Sequence, residues 1–289
     1  MIWDAGEILD RRPIDVVVGS REMSAVAKRP LQHGFTRVDQ ETNPADWIEC
    51  LDKMHNEPFY REYKQRIRAI LSPRPSGLYL EVGSGVGTDA MALGARVIGV
   101  DRSLTMCRES RRRGMLMCGV ADAAALPFSS GLVDGCWADR AFQHLAHPQQ
   151  ALDELIRVMK SGARIVVVDP DYGTQEMKFP DPDLARKVLD FRAHHLLQNG
   201  TLAHQMSEWF LSAGLDNVVV EEKRLVVRDP KACDNVMGLR SWARTAFANG
   251  FLTESQAARW ETSYDEIVAT GTLHWSVSFF LTSGRKPAN

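Results

Sequence analysis

The sequence predicts an α/β fold, and three observations carry the prediction. Apolar, largely β-branched runs of strand length recur at 78–82, 95–100, 115–120, 132–138 and 163–169, with stretches of helical periodicity between them. Runs such as ARIVVVD are continuously apolar rather than alternating, as expected of strands buried on both faces of a parallel sheet. The first two runs are joined through the glycine loop Gly83-Ser84-Gly85-Val86-Gly87, and Asp101 closes the second.

LYLEV (78–82) reads as the first strand, ended by the glycines, and the loop opens a helix from Thr88 to Gly94 with Thr88 and Asp89 suited to its first turn. ARVIGV (95–100) follows. Strand, glycine loop, helix, strand and acid make a βαβ unit suited to a nucleoside-like ligand. Glycine lets a ligand lie against the backbone, and Asp101 stands where one carboxylate can accept from both ribose hydroxyls. A dinucleotide fingerprint needs Gly-x-Gly-x-x-Gly around a pyrophosphate at the helix N-terminus. Here the third position is Thr88, and the strand carries Glu81, an unsuitable neighbour for a pyrophosphate. A carboxylate there suits a ligand with an ammonium and a sulfonium, so the spacing favours S-adenosylmethionine over NAD.

The 289 residues can bury a substantial core in one large or two small domains. A net charge of −2 gives no electrostatic case for nucleic acid or an acidic membrane surface. The cluster Arg111–Arg113 precedes Gly114 at a helix end, where cations favour the dipole. Cysteines 50, 107, 118, 136 and 233 form no C-x-x-C pair and no metal-ligand spacing, which suggests reduced thiols in a cytoplasmic protein without a metal. Asp4 and Glu7 interrupt the N-terminus, no signal-peptide core is evident, and no stretch nears the roughly 18 apolar residues of a membrane span. The expected partner is a small molecule, and a homodimer stays open.

Residues 1–34 read as an N-terminal arm, mobile or carrying a short strand at IDVVV (14–18). A turn at Asn43-Pro44 precedes a helix with Trp47, Ile48 and Leu51 on one face, placed to fold over the ligand's open side. A second helix, about 58–71, ends before Pro73. Beyond Asp101, LTMCRESRRR reads as helix, MLMCGV as strand three, LVDGCWA as strand four, HPQQALDELIRVMKSG as a helix ending on Gly162, and ARIVVVD as strand five. A helix at about 201–213 leads to two alternating runs, 217–229 and 273–286, suited to antiparallel pairing at a sheet edge. Residues 170–200, with a helix around 183–198, and 230–269, with two helices broken at Asn249-Gly250, leave the alternation. They read as a helical cap beyond the carboxyl ends of the strands, where ligands of open α/β sheets lie.

In combination these motifs resemble the class I S-adenosylmethionine-dependent methyltransferases, in the broad group that serves quinone biosynthesis and natural products. EVGSGVG (81–87) is similar to that family's first motif, GVDRSLTM (99–106) to its ribose-binding turn, GVADAAALPF (119–128) to its adenine-side motif, and residues 134–174 to its strand-four to strand-five block. FTRVDQETNPADW, ADRAFQHL and DPDYGT resemble one branch of the group. The resemblance covers 35–286 and implies a Rossmann-like seven-stranded sheet with an antiparallel last strand, N-terminal helices and an inserted helical cap. It implies that Gly83, Ser84, Gly85 and Gly87 line the methionine and ribose of the cofactor, with Glu81 at its amino end. Asp101 would hold the ribose hydroxyls, beside Arg102, and Met106 would flank the adenine. Asp122 would accept from the adenine amino group, and Ala123 would offer its N–H to a ring nitrogen. Lys160-Ser161-Gly162-Ala163 departs from the family's usual Pro before paired glycines.

The implied activity is methyl transfer to O, N or C of a small organic acceptor, quinone-like or a natural-product intermediate, releasing S-adenosylhomocysteine. Asp139, Arg140 and His144 follow strand four, on the edge facing the methyl group. His144 titrates near neutrality and is the candidate general base, against a structural role in the loop beneath the sheet. Arg140 suits a substrate carboxylate or phosphate, or an ion pair with Asp139 or Asp169. Tyr172, with Asp169 and Asp171, follows strand five as a second pocket wall, and His194 and His195 sit on the presumed cap helix. Trp242, Phe247, Phe251, Trp260 and Trp275 are candidates for an apolar lining or for core. The alternatives are a nicotinamide-dependent oxidoreductase and a cofactor-binding protein without transfer activity.

Overall fold

The computed structural model describes residues 34–230 and 238–288. The segment holding IDVVV and the residue Cys233 lie outside them. Seven strands among the described residues form one sheet: β1 (Leu78–Val82), β2 (Arg96–Asp101), β3 (Cys118–Val120), β4 (Val133–Asp139), β5 (Met159–Met177), β6 (Asp216–Val227) and β7 (Trp275–Arg285). Their order is β3-β2-β1-β4-β5-β7-β6. β1 to β5 pair in parallel, and β7 runs antiparallel to both β5 and β6. The expected sheet with an antiparallel last strand is thus present. β1 has β2 on one side and β4 on the other, so the chain reverses its progress across the sheet there. That makes the carboxyl ends of β1 and β4 the topological switch point, where a ligand crevice opens.

Helices cover both faces. α1 (Ala45–Asn56) and α2 (Pro58–Leu71) lead into the sheet. α3 (Thr88–Ala92), α4 (Leu104–Arg112) and α5 (Pro148–Val158) cross between parallel strands. α6 (Pro182–Phe191), α7 (Met206–Ser212), α8 (Trp242–Ala248) and α9 (Glu254–Ala269) complete the described set. One buried cluster packs Tyr63, Ile67, Tyr79, Trp137 and Val166 with Phe191, Trp242 and Trp260 from the later helices. The other packs Leu80, Cys136 and Ile165 with Leu155 and Phe210. The starts are specified locally: α2, α5 and α6 carry proline in the first turn, where a missing N–H costs nothing. The Asp181 carboxylate accepts from the Leu184 N–H, and Thr253 with Gln256 forms a capping box. No helix among the described residues is long and apolar enough to cross a membrane.

Four expectations need correction. The helix after strand four ends at Val158 rather than Gly162, because Met159 already pairs with Val133 and Gly162, at φ +78°, bends the chain within β5. Strand three shortens to Cys118–Val120, since the Met115 N–H is drawn into the α4 turn by the Ser110 carbonyl. β5 continues through Pro170 and Asp171 to Met177 instead of leaving the sheet at 170. A bulge after Asp171 is bridged by Thr174, whose hydroxyl accepts from the Ser278 N–H at 2.9 Å. The helix expected to reach 198 stops at Phe191 and widens into a π-turn over Arg192–Leu196.

Gly87 shows how tightly the glycine loop sits on α4. Its φ is +76°, and a Cβ there would run into Ser110 Oγ and lie 2.7 Å from Met115 Sδ. Left-handed strain and overpacking therefore add, and Gly87→Ala is expected to cost about 2–4 kcal/mol. Chemical denaturation checks this: an unchanged midpoint would mean the loop is not pinned from behind.

Candidate active site

A cavity of about 650 Å³ opens at the carboxyl ends of β1, β2 and β4. Its floor is the glycine loop. α1 roofs it with Trp47, Cys50, Leu51 and Met54, as its apolar face suggested, and Phe279 of β7 and Trp242 of α8 close the far side. The roof lies close to the floor: a Cβ on Gly85 would come within 3.2 Å of Leu51 Cδ1.

On the loop side, Asp101 ties the elements together. Its Oδ2 accepts from the Gly85 N–H at 2.8 Å and its Oδ1 from the Ser103 N–H at 2.9 Å. Each oxygen keeps a lone pair for a further donor. Burial raises the Asp101 pKa, opposed by those backbone donors. Glu81 is 3% exposed: Oε1 accepts from Trp137 Nε1 at 3.0 Å, and Oε2 is buried with no hydrogen-bond partner. Burial pushes its pKa well up, and Asp89 adds to this while Lys64 opposes it. The Ser84 hydroxyl is likewise buried without a hydrogen-bond partner. Asp39 caps α4 from a distance, accepting from Ser103 Oγ at 2.7 Å and from the Leu104 and Thr105 N–H groups at 2.9 Å. Met106, on α4, packs with Val38 and Val86 beside the cavity.

The opposite side is basic. Arg140 sits at φ +54°, a left-handed conformation rare outside glycine, which turns the chain sharply off β4. Its guanidinium lies 5.1 Å over the Tyr60 ring and 3.7 Å from Asp139, with Nε making no hydrogen bond. Asp139 accepts from Tyr63 Oη at 2.9 Å and faces Lys64 Nζ at 3.7 Å. Arg192, in the π-turn after α6, stacks 4.2 Å from the Trp242 ring and 4.7 Å from the Tyr172 ring. His144 lines the wall between, and burial followed by the charges of Arg140 and Arg192 lowers its pKa to about 3.

Of the residues singled out from sequence, Glu81, Gly83, Ser84, Gly85, Asp101, Arg102, Met106, Asp122, Ala123, Asp139, Arg140, His144 and Tyr172 all line this one cavity. Gly87, His194 and His195 do not: Gly87 faces Ser110 and Met115, and His195 packs its exposed ring on Phe251 at 4.4 Å. Asp169 lies behind the wall, accepting from the Phe142 and Gln143 N–H groups, and Asp171 pairs with His204. Trp242 lines the cavity, whereas Trp260 and Trp275 are core. Sequence reasoning missed Arg192, Tyr60 and Lys64, which reach the cavity from distant segments, Gln143, which lines it beside His144, and Asp39, which anchors α4 next to it.

Residues 80–167 match the family model described as a methyltransferase domain. An uncharacterized 37.1 kDa protein in transposon TN4556 of Streptomyces fradiae is 30% identical over 260 residues, covering 86% of this chain and 75% of that protein. The demethylmenaquinone methyltransferase of Clavibacter sepedonicus is 30% identical over 151 residues, covering 50% of this chain and only 60% of that enzyme's length. The chain belongs to the class I S-adenosylmethionine-dependent methyltransferases. Among solved structures, Haemonchus contortus phosphoethanolamine N-methyltransferase 2 in complex with S-adenosyl-L-methionine matches this methyltransferase with a TM-score of 0.55. The match covers 88% of this chain and 60% of the other at 18% identity, a likeness of fold. The cofactor of this methyltransferase is S-adenosyl-L-methionine, and the nicotinamide alternative is left without support.

The lowered His144 pKa sets an acid limit on stability. The folded chain keeps the imidazole neutral down to about pH 3, whereas the unfolded chain protonates it near 6.5. The unfolded state therefore binds the extra proton, and this contribution to stability, present above pH 6.5, is lost as pH falls toward 3. His144→Gln is expected to flatten the decline of melting temperature over that window. An unaltered pH profile in the variant would place the imidazole in water.

Proposed function

We propose that the glycine-loop side of the cavity holds S-adenosylmethionine and that the wall formed by β4, β5 and the later helices presents a small organic acceptor to its methyl group. The observation that carries this reading is the buried, unpaired Oε2 of Glu81, an acceptor that an ammonium would satisfy. In this reading Gly83 to Gly85 lie against the methionine, Asp101 accepts from the ribose hydroxyls, and Met106, Asp122 and Ala123 border the adenine. Residues 35–286 then act as one catalytic domain, with 170–200 and 230–269 as the segments that shape the acceptor pocket; Tyr172, Arg192 and Trp242 come from them. The free cysteines among the described residues, Cys50, Cys107, Cys118 and Cys136, fit a reducing cytoplasm.

The cofactor supplies a sulfonium methyl, which the acceptor's lone pair displaces to leave S-adenosylhomocysteine. The chain's part is to align the acceptor and exclude water, effects worth about 7–11 kcal/mol in well-oriented reactions. The roof of α1 and the aromatic wall serve the exclusion. His144 is neutral at working pH, but a conjugate acid of pKa about 3 makes it a weak base. Acceptors that arrive ionised need no base at all.

Calorimetric titration tests the assignment. S-Adenosylmethionine should bind, and Asp101→Ala should weaken binding by about 1.5–3 kcal/mol, the usual worth of a hydrogen bond to a charged group. No heat with folded protein at tens of micromolar would count against the reading. Glu81 adds a proton signature. Burial favours its protonated form in the free protein, and a bound ammonium favours the carboxylate, so binding releases a proton and affinity rises with pH. Glu81→Gln should weaken binding and abolish that dependence; a pH-independent affinity in the wild type would remove Glu81 from the site.

A further inference from the structure

The acceptor side of the cavity carries a positive charge that no described residue answers. Arg192 is 6% exposed, and its Nε is buried without a hydrogen-bond partner. Among the described residues it forms one hydrogen bond, to Tyr172 Oη at 3.3 Å, and no ion pair. The acids nearby are committed elsewhere. Asp139 takes the Tyr63 hydroxyl and faces Arg140 and Lys64. Asp169 takes two backbone N–H groups, and Asp171 holds His204 and the Gly173 N–H. The Tyr172 and Trp242 rings stack on the guanidinium, which offsets only part of the cost of burying a cation. Arg140, the second guanidinium on this wall, leaves its own Nε without a hydrogen bond. Their fields meet at His144, which both help to keep neutral.

A buried guanidinium with a free donor, facing a cavity, is a receptor for an oxyanion. The surroundings limit what carries that oxyanion. Phe35, Trp47, Tyr60, Tyr172 and Phe279 line the same space, so the body of the ligand is apolar and of ring size. We infer that the methyl acceptor binds as an oxyanion, a carboxylate or an ionised phenol or enol on an apolar ring-sized body, paired with Arg192. This rests on the proposed cofactor site, because the acceptor takes the part of the cavity that the cofactor leaves. It also explains how a wall whose histidine is a poor base serves transfer: the acceptor enters already deprotonated, and the guanidinium keeps it so.

The test is calorimetric titration of three ring-sized probes into protein saturated with S-adenosylhomocysteine. Benzoate carries a carboxylate, 4-nitrophenol is ionised at about pH 8, and benzamide is neutral. In the wild type at least one anion should bind about tenfold or more tightly than benzamide; benzoate leading assigns a carboxylate, nitrophenolate leading a phenol or enol. Arg192→Met should erase the preference while leaving S-adenosylhomocysteine affinity within about twofold and the melting temperature undiminished, since an uncompensated buried charge is removed. Arg192→Lys should recover part of the preference, having the charge without the planar fork. Should Arg192→Met not fold, the wild-type preference and its partial retention in Arg192→Lys carry the test. Equal affinity for the three probes in the wild type, or a preference intact in Arg192→Met, overturns the inference. Failure of S-adenosylhomocysteine to bind the wild type sinks the cofactor reading on which it stands.

Discussion

One hydrogen bond organises the site: the Asp101 carboxylate accepts the Gly85 N–H at 2.8 Å. It joins the end of β2 to the loop that leaves β1 and holds the loop open in a conformation only glycine adopts without strain, with Gly83, Gly85 and Gly87 all at positive φ. The same carboxylate accepts from the Ser103 N–H, which sets the start of α4, and α4 in turn abuts Gly87 through Ser110. Strand, loop, acid and helix therefore lock one another. Asp39 extends the lock to the segment before α1, so the roof is registered against the floor.

The cavity is electrostatically divided. Glu81, Asp89 and Asp101 cluster at the loop end, and Arg140 and Arg192 sit at the other. Between them Asp139, Tyr63 and Lys64 form a network that satisfies most of its own charge. Such separation acts most strongly once bound ligands exclude water, because screening by solvent is then weak. An acidic end suits a donor carrying ammonium and sulfonium, and a basic end suits an anionic acceptor. Transfer between two oppositely charged partners leaves neutral groups in place of both charges when the acceptor atom is an oxyanion. A division of this kind is costly to the free protein: Glu81 is driven toward its protonated form, and Arg192 lies buried without a counterion among the described residues.

What was legible in the sequence was what local periodicity and spacing encode. The strands, the glycine loop, Asp101 and the two N-terminal helices were readable because each is specified by residues a few positions apart. The residues lining the glycine-loop side of the cavity followed, since one βαβ unit carries most of them. Contacts across the chain were not readable. Arg192 reaches the cavity only because α6 breaks into a π-turn and packs against Trp242, 50 positions later in the chain. The extension of β5 beyond Asp169 depends on β7, more than 100 residues on, whose pairing outweighs the Pro170 that looked like a strand end. His194 and His195 were attractive as residue types, yet the π-turn leaves both exposed while its first residue, Arg192, goes inside.

The central claim is that the unpaired Glu81 oxygen and Asp101 together grip the two ends of the cofactor's polar arm. A crystal structure with S-adenosylhomocysteine measures this directly. The account predicts the amino nitrogen within about 3 Å of Glu81 Oε2 and both ribose hydroxyls on Asp101. An amino nitrogen held elsewhere, with Glu81 Oε2 still unpaired, would contradict it.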